Sequence, residues 1–315
     1  MTHSQSSRQR GFTLAELIVA MGITAILLSL LVTVTSVAVD GWRVSRNKVR
    51  ASRQAQAALQ QLTRDLESMV VRAGNNFEWL HVSVEDSPPG PENNADLRSP
   101  NSSKIIFFTA ATDRYDGEIN TAKDKGGDVS CVGYRLFYKD PITNSTDEDL
   151  AVFVLYRDLV NPDVTFQNLL ATEDLPGAFE LGEAAVGISE NFICENIYEM
   201  SVVFQVQYTE RRNQGGTEKL VIQQVRVPVL STSATEAVKE FSIRGNGIEV
   251  VTEGAGSEPP VYAKGRVTAV DVSISVLSDA GLGTLRRASM DAETRAKFLA
   301  KNTYRYTKSI MVPQP

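Results

Sequence analysis

The chain has 315 residues, with 32 Lys and Arg against 38 Asp and Glu, a net charge of -6 and an ordinary apolar content of 42%. The charge balance excludes a generally basic nucleic-acid-binding surface, though not a local basic patch, and the length suits one large or two modest domains. The two cysteines, Cys131 and Cys194, form no CxxC or Cys/His cluster, which argues against structural zinc; no metal or cofactor is expected.

Residues 1–11 are polar and basic and are set apart from the fold. They lead into Arg10-Gly11-Phe12-Thr13-Leu14-Ala15-Glu16-Leu17, after which no charge occurs from Leu17 to Val39. As a helix that run reaches about 35 Å, enough to cross a bilayer core, so 12–39 is read as a membrane helix. An ordinary secretory signal is cut after its apolar core, beside small residues. Here the distinctive Gly11–Phe12 dipeptide precedes the core, so a cut there leaves the apolar helix on the mature protein.

This stretch resembles the leader of the type IV pilin and pseudopilin family: Gly-Phe-Thr-Leu-x-Glu followed by a long apolar helix. The resemblance implies cleavage after Gly11 by a membrane prepilin peptidase and N-methylation of Phe12. It also implies that Glu16, fifth from Phe12, meets the amino-terminal charge of a neighbouring subunit and sets axial register. A carboxylate near the start of a membrane helix is costly and is usually retained for a partner. The plainer alternative is a carboxylate solvated at headgroup level.

Gly22 is tolerable in a membrane helix, and Trp42 suits the membrane–water boundary. Leu59, Leu62, Leu66, Met69 and Val70 continue an apolar stripe at spacings of three and four. Gly74, just after Arg72, reads as the stop. One helix over 12–73, about 90 Å long, is therefore expected, with 40–73 its continuation outside the membrane. Arg43, Arg46, Lys48, Arg50 and Arg53 follow the span, whereas Arg8 and Arg10 precede it. By the positive-inside rule that bias favours a cytoplasmic carboxyl-terminal domain. The pilin resemblance implies the reverse: a single-pass inner-membrane protein with a periplasmic domain, whose basic segment meets acidic headgroups or neighbouring subunits.

Residues 74–315 read as a β-rich domain with loops at 83–103, 112–128, 141–149 and 252–260. Strands are expected at 104–109, 129–139, 151–157, 197–208, 220–229 and 267–277, the last half-buried by its clean alternation. Arg211–Gly216 reads as a hairpin turn, Gly245-Asn246-Gly247 as a turn, 292–301 as a short helix capped by Ser289 or Asp291, and the last six residues as a tail. The fold class is α+β: a long amino-terminal helix packed on an antiparallel sheet, pilin-like.

No catalytic residues are expected. His81 is the one histidine beyond the leader, placed where helix gives way to loop, without a nucleophile elbow, P-loop or HExxH. Asp113, Asp116, Glu118, Asp124 and Asp128, and then Asp140, Asp147, Glu148 and Asp149, read as solvated acidic loops, with calcium binding as the alternative. Outside the cytoplasm Cys131 and Cys194 could form a disulfide; otherwise they are separate buried thiols. Asn101-Ser102-Ser103 and Asn144-Ser145-Thr146 fit a glycosylation pattern that is too common to weigh. Arg135 and Arg157, on neighbouring strands, are expected to make exposed pairs worth about 0–1 kcal/mol or to face solvent.

A second resemblance rests on short segments: Leu62-Thr63-Arg64-Asp65-Leu66, Tyr134-Arg135-Leu136, Leu155-Tyr156-Arg157 and Glu195-Asn196-Ile197. They are similar to the J-type minor pseudopilin of type II secretion, and the middle and carboxyl-terminal regions also resemble pilin-like cassette proteins. The implied partners are prepilin peptidase, other pilin subunits, inner-membrane lipid and secreted cargo. The alternatives are a minor pilin for adhesion or DNA uptake, and a signal-anchored extracytoplasmic protein with an unrelated, enzymatic role.

Overall fold

The computed structural model describes residues 13–85, 87–91, 97–111, 128–145, 150–180, 186–214, 217–231, 237–253, 259–287 and 290–313. Helix α1 spans Leu14–Glu67. The chain divides into two compact units, 1–49 and 50–315.

In the first unit α1 presents its side chains to the outside all round. Leu14, Ile18, Ile26, Leu31 and Val37 are each exposed, as is Trp42. An apolar helix without a buried face is stable only where something other than water covers it.

In the second unit α1 becomes one-sided. Ala51, Ala55, Ala58, Leu59, Leu62 and Leu66 are buried and enter the main core together with residues from every strand of the sheet. The strands are β1 Glu78–Val84, β2 Ser103–Thr109, β3 Ser130–Lys139, β4 Val152–Val160, β5 Phe192–Glu195, β6 Ile197–Gln214, β7 Thr217–Val229, β8 Val238–Arg244, β9 Gly247–Thr252, β10 Arg266–Leu277 and β11 Thr303–Met311. They form an 11-stranded sheet in the order β11-β10-β6-β7-β8-β1-β2-β3-β4-β5, with β9 on β8. Among the described residues the strands pair antiparallel except at Val229↔Val238, where β7 meets β8 in parallel, and Ser102, just before β2, makes an isolated parallel bridge to Met200 of β6. Asn196, in the left-handed region at φ 64°, links β5 directly to β6. Its amide donates to Phe153 O, and its carbonyl accepts from Leu277 N. Two helices, α2 Asp279–Arg287 and α3 Ala292–Asn302, lie between β10 and β11.

Strands β1 to β4 bury both faces. Leu80, Ile105, Phe107, Val132 and Tyr134 belong to the main core. Their neighbours Trp79, Ile106, Phe108 and Cys131 belong to a second core, closed over by Leu169, Leu175 and Phe179. Hence Lys104–Thr109 reads as a continuous apolar run rather than an alternating one.

Several expectations are corrected. Helix α1 ends at Glu67, not 73: Met69 already bridges Thr109, and Val70 N bonds Phe108 O, so the chain has joined the sheet. Gly74 takes φ 84° in the following turn. The β6–β7 ladder runs out to Gln214↔Thr217, so the turn is shorter than Arg211–Gly216. Strand β11 takes up Ile310 and Met311, the first two residues of the expected tail, and β1, β5, β8, β9, α2 and the rest of β11 were not anticipated. Strand β10 is not half-buried, since Asp271 and Ser275 on its polar side are buried too.

Candidate functional site

Helix α1 opens on a capping box. Glu16 Oε2 accepts from Thr13 N and Thr13 Oγ1, both at 2.9 Å, while Glu16 N donates to Thr13 Oγ1 at 3.3 Å. One carboxylate thereby satisfies a helix-end amide that would otherwise be unpaired. Gly11 and Phe12 lie outside the described residues. Beyond Glu16 the helix also absorbs its own hydroxyls: Thr24 donates to Ala20 O, Ser29 to Ile26 O, Thr33 to Ser29 O, Thr35 to Leu31 O and Ser36 to Thr33 O. Those bonds suit a segment surrounded by hydrocarbon, where an unpaired polar group is expensive. By length and composition α1 can cross a membrane.

In the second unit two polar clusters fasten α1 to the sheet. At its entry Arg50 Nη2 reaches Glu195 Oε1 at 2.5 Å and Arg50 Nη1 bonds Asp279. Asp279 also accepts from Asn196 Nδ2 at 2.6 Å. All three charged partners are partly exposed, so these pairs guide position more than they stabilise. Further along, Asp65 interrupts the apolar stripe. Arg157 Nε donates to Asp65 Oδ2 at 2.7 Å and Nη2 to Oδ1 at 3.0 Å, with side-chain exposures of 1% and 0%. The Tyr134 hydroxyl donates to Asp65 Oδ2. Burial, and then the Asp65 charge, push the Tyr134 hydroxyl's pKa well above its ordinary value. The expectation that Arg157 makes an exposed pair is thus overturned. Arg135 does pair at the sheet's other face, its guanidinium meeting Glu85 at 2.5 and 2.9 Å.

The sequence passed over this buried cluster, although the signal was available: a carboxylate between Leu62 and Leu66 must be paired once the stripe is buried. The segments Leu62–Leu66, Tyr134–Leu136 and Leu155–Arg157, which carry the second resemblance, supply it.

The other singled-out residues are placed as follows. His81 lies within β1, not at a helix–loop junction, and is buried. Its Nδ1 is 3.0 Å from Glu78 Oε1 and 3.1 Å from Ser242 Oγ. Serine and acid share one ring nitrogen, whereas a relay needs them on opposite nitrogens. Glu78 also accepts from Leu175 N at 2.7 Å. Burial pushes its pKa up, but bonds from His81, Ser242 and Leu175 outweigh burial and hold it below the ordinary 4.5.

Cys131 and Cys194 are buried free thiols rather than a bridge, one in the second core and the other in the main core. Asp140 closes its own turn, accepting from Thr143 Oγ1 at 2.6 Å and Ile142 N at 3.0 Å. Asp113, Asp116, Glu118, Asp124, Asp147, Glu148 and Asp149 lie outside the described residues, among which no group of three metal-binding side chains occurs. Asn101 is buried, donating to Met200 O at 3.0 Å and accepting from Ser231 N at 2.7 Å, so it is a structural link between strands.

Residues 6–32 match the family model of the prokaryotic N-terminal methylation motif. The match supports a type IV pilin-like protein that is processed by prepilin peptidase. It covers Gly11, Phe12 and Glu16 and most of the apolar span. No curated protein and no solved structure matches the chain. The pilin-type motif and the long apolar helix together support membrane anchoring and assembly with other pilins.

Proposed function

We propose that the protein is a minor pilin-like subunit, a pseudopilin, that works by assembly and not by catalysis. Prepilin peptidase cuts between Gly11 and Phe12, and Phe12 is N-methylated. The mature chain waits in the inner membrane with residues 50–315 on the periplasmic side, then enters a type II secretion pseudopilus or a related filament. The observation that carries this reading is the methylation-motif match on a helix whose apolar side chains are exposed on every side.

Packing of such helices supplies attraction without direction. Ala15, Gly22, Ser29 and Ser36 recur at intervals of seven and give one face on which a neighbouring helix can approach closely. A Cβ added at Gly22 meets nothing within 4 Å, so its bareness serves no contact inside the chain. Glu16 supplies direction. In the single subunit its carboxylate is occupied by Thr13; in the filament the Phe12 amine of a neighbour takes up its remaining acceptor capacity and fixes the axial step. The convergence of the Leu62–Leu66, Tyr134–Leu136 and Leu155–Arg157 segments on one buried cluster supports the J-type reading.

The test is Glu16→Val expressed in the native host. The variant is expected in the inner membrane at normal level but absent from sheared filaments or from cross-linked complexes with other pilins. Normal incorporation refutes the register role.

A further inference from the structure

Immediately beyond the uncharged span the first unit carries Asp40, Trp42, Arg43, Arg46 and Lys48. All are exposed. Little inside the chain occupies the cations. Arg43 lies 3.8 Å from Asp40 with both side chains mostly exposed. The Arg46 guanidinium stands 5.5 Å over the Trp42 ring. Lys48 has no ion-pair partner among the described residues. At 1.5 Å per residue Arg43 stands about 6 Å beyond Val39, and Lys48 about 14 Å. A headgroup layer is about 5–8 Å deep on each side of the core, and long basic side chains reach back along the helix to it. Trp42 sits at the depth that indoles favour. By helical rotation Arg43 and Arg46 lie about 60° apart, with Lys48 on the far side of the helix, so the cations surround α1.

We propose that Trp42, Arg43, Arg46 and Lys48 form a collar that binds the headgroups of anionic phospholipids. This rests on the reading of α1 as a membrane span and adds a lipid class and a purpose to it. The collar holds the subunit at a fixed depth by the end opposite Glu16. Arg46 brings a planar guanidinium fork whose edge can meet phosphate oxygens while its face stays over the Trp42 ring. The loose Asp40 contact leaves Arg43 able to do the same. Leaving the bilayer for a filament then requires these contacts to be released, so the anionic lipid content of the membrane tunes the supply of subunits.

The test uses the full chain purified in neutral detergent and mixed with phosphatidylglycerol and phosphatidylcholine of identical acyl chains, with native mass spectrometry counting the lipids retained. The protein is expected to retain phosphatidylglycerol preferentially, and the preference to weaken with salt. The triple variant Arg43→Gln, Arg46→Gln, Lys48→Gln is expected to lose about tenfold or more of that enrichment while retaining total lipid. No preference in the unmodified protein, or an equal one in the variant, overturns the collar. So does a variant that keeps its lipid preference but loses self-association, since the cations would then serve an acidic surface of another copy. If the unmodified protein retains neither lipid and stays monomeric without detergent, the membrane-span reading itself falls.

Discussion

Arg157 on β4 closes a two-point ion pair with Asp65 on α1 where neither side chain touches water. The pair ties the helix to β4. Gln61 Nε2 and the Tyr134 hydroxyl fill further acceptor positions on Asp65. Such a pair is not a large net source of stability, but its halves cannot be separated cheaply.

Arg157→Met should therefore cost about 3–5 kcal/mol, because it strands a buried carboxylate. The double change Asp65→Leu with Arg157→Met should cost much less than the single one. Denaturant unfolding of the full chain in detergent, followed by tryptophan fluorescence, measures both. Equal losses in the two variants would show that Asp65 is not held by Arg157.

Leu62 lies fully buried in the main core. Leu62→Ala should lower stability by about 2–5 kcal/mol through lost burial and the cavity left behind. A shift of under half a kcal/mol in the same unfolding assay would mean that the sheet does not close on this face of α1.

Glu78 contributes a pH dependence of definite sign. Its folded pKa lies below the ordinary 4.5, so its stabilising share is complete above that value and is lost as pH falls through the lower, folded one. Glu78→Gln should flatten the acid limb of the stability–pH curve below about pH 5. An unchanged acid limb would contradict the Glu78–His81–Ser242 contacts.

Both thiols should resist alkylation in the folded protein. Burial, with the Glu195 charge second, pushes the Cys194 pKa up to about 12. Burial, with Asp158 second, pushes that of Cys131 well above its ordinary value. Iodoacetamide at pH 8 should label neither until denaturant is added, and then both, as intact mass will read. A chain two hydrogens lighter and unlabelled after denaturation would reveal a disulfide.

The span, the apolar stripe of α1 and the strands of strong period were legible because charge and spacing are local properties. The buried polar parts were not. The polar side of β10 looks solvent-facing in sequence, yet Asp271 is covered by Gln205 and Arg226, which bond it at 2.9 and 2.7 Å. Strand β1 was missed although Leu80 and Val82 alternate with His81 and Ser83, because the histidine reads as a loop residue until β8 sets Ser242 beside it. Helix α2 carries Gly281 and Gly283, which lower helix propensity. Gly281 is required by its contact, since an added Cβ would lie 2.9 Å from Asn302 Cβ. The register role of Glu16 was read from the resemblance alone, and its bond to Thr13 was not anticipated, although Thr13-x-x-Glu16 has the spelling of a capping box.

Processing at Gly11–Phe12 carries the whole account, and intact-protein and amino-terminal mass spectrometry of membrane-extracted protein from the native host tests it most directly. The account predicts a chain that begins at N-methylated Phe12. A chain still carrying residues 1–11 in cells with active prepilin peptidase would contradict it, leaving a membrane anchor without a filament.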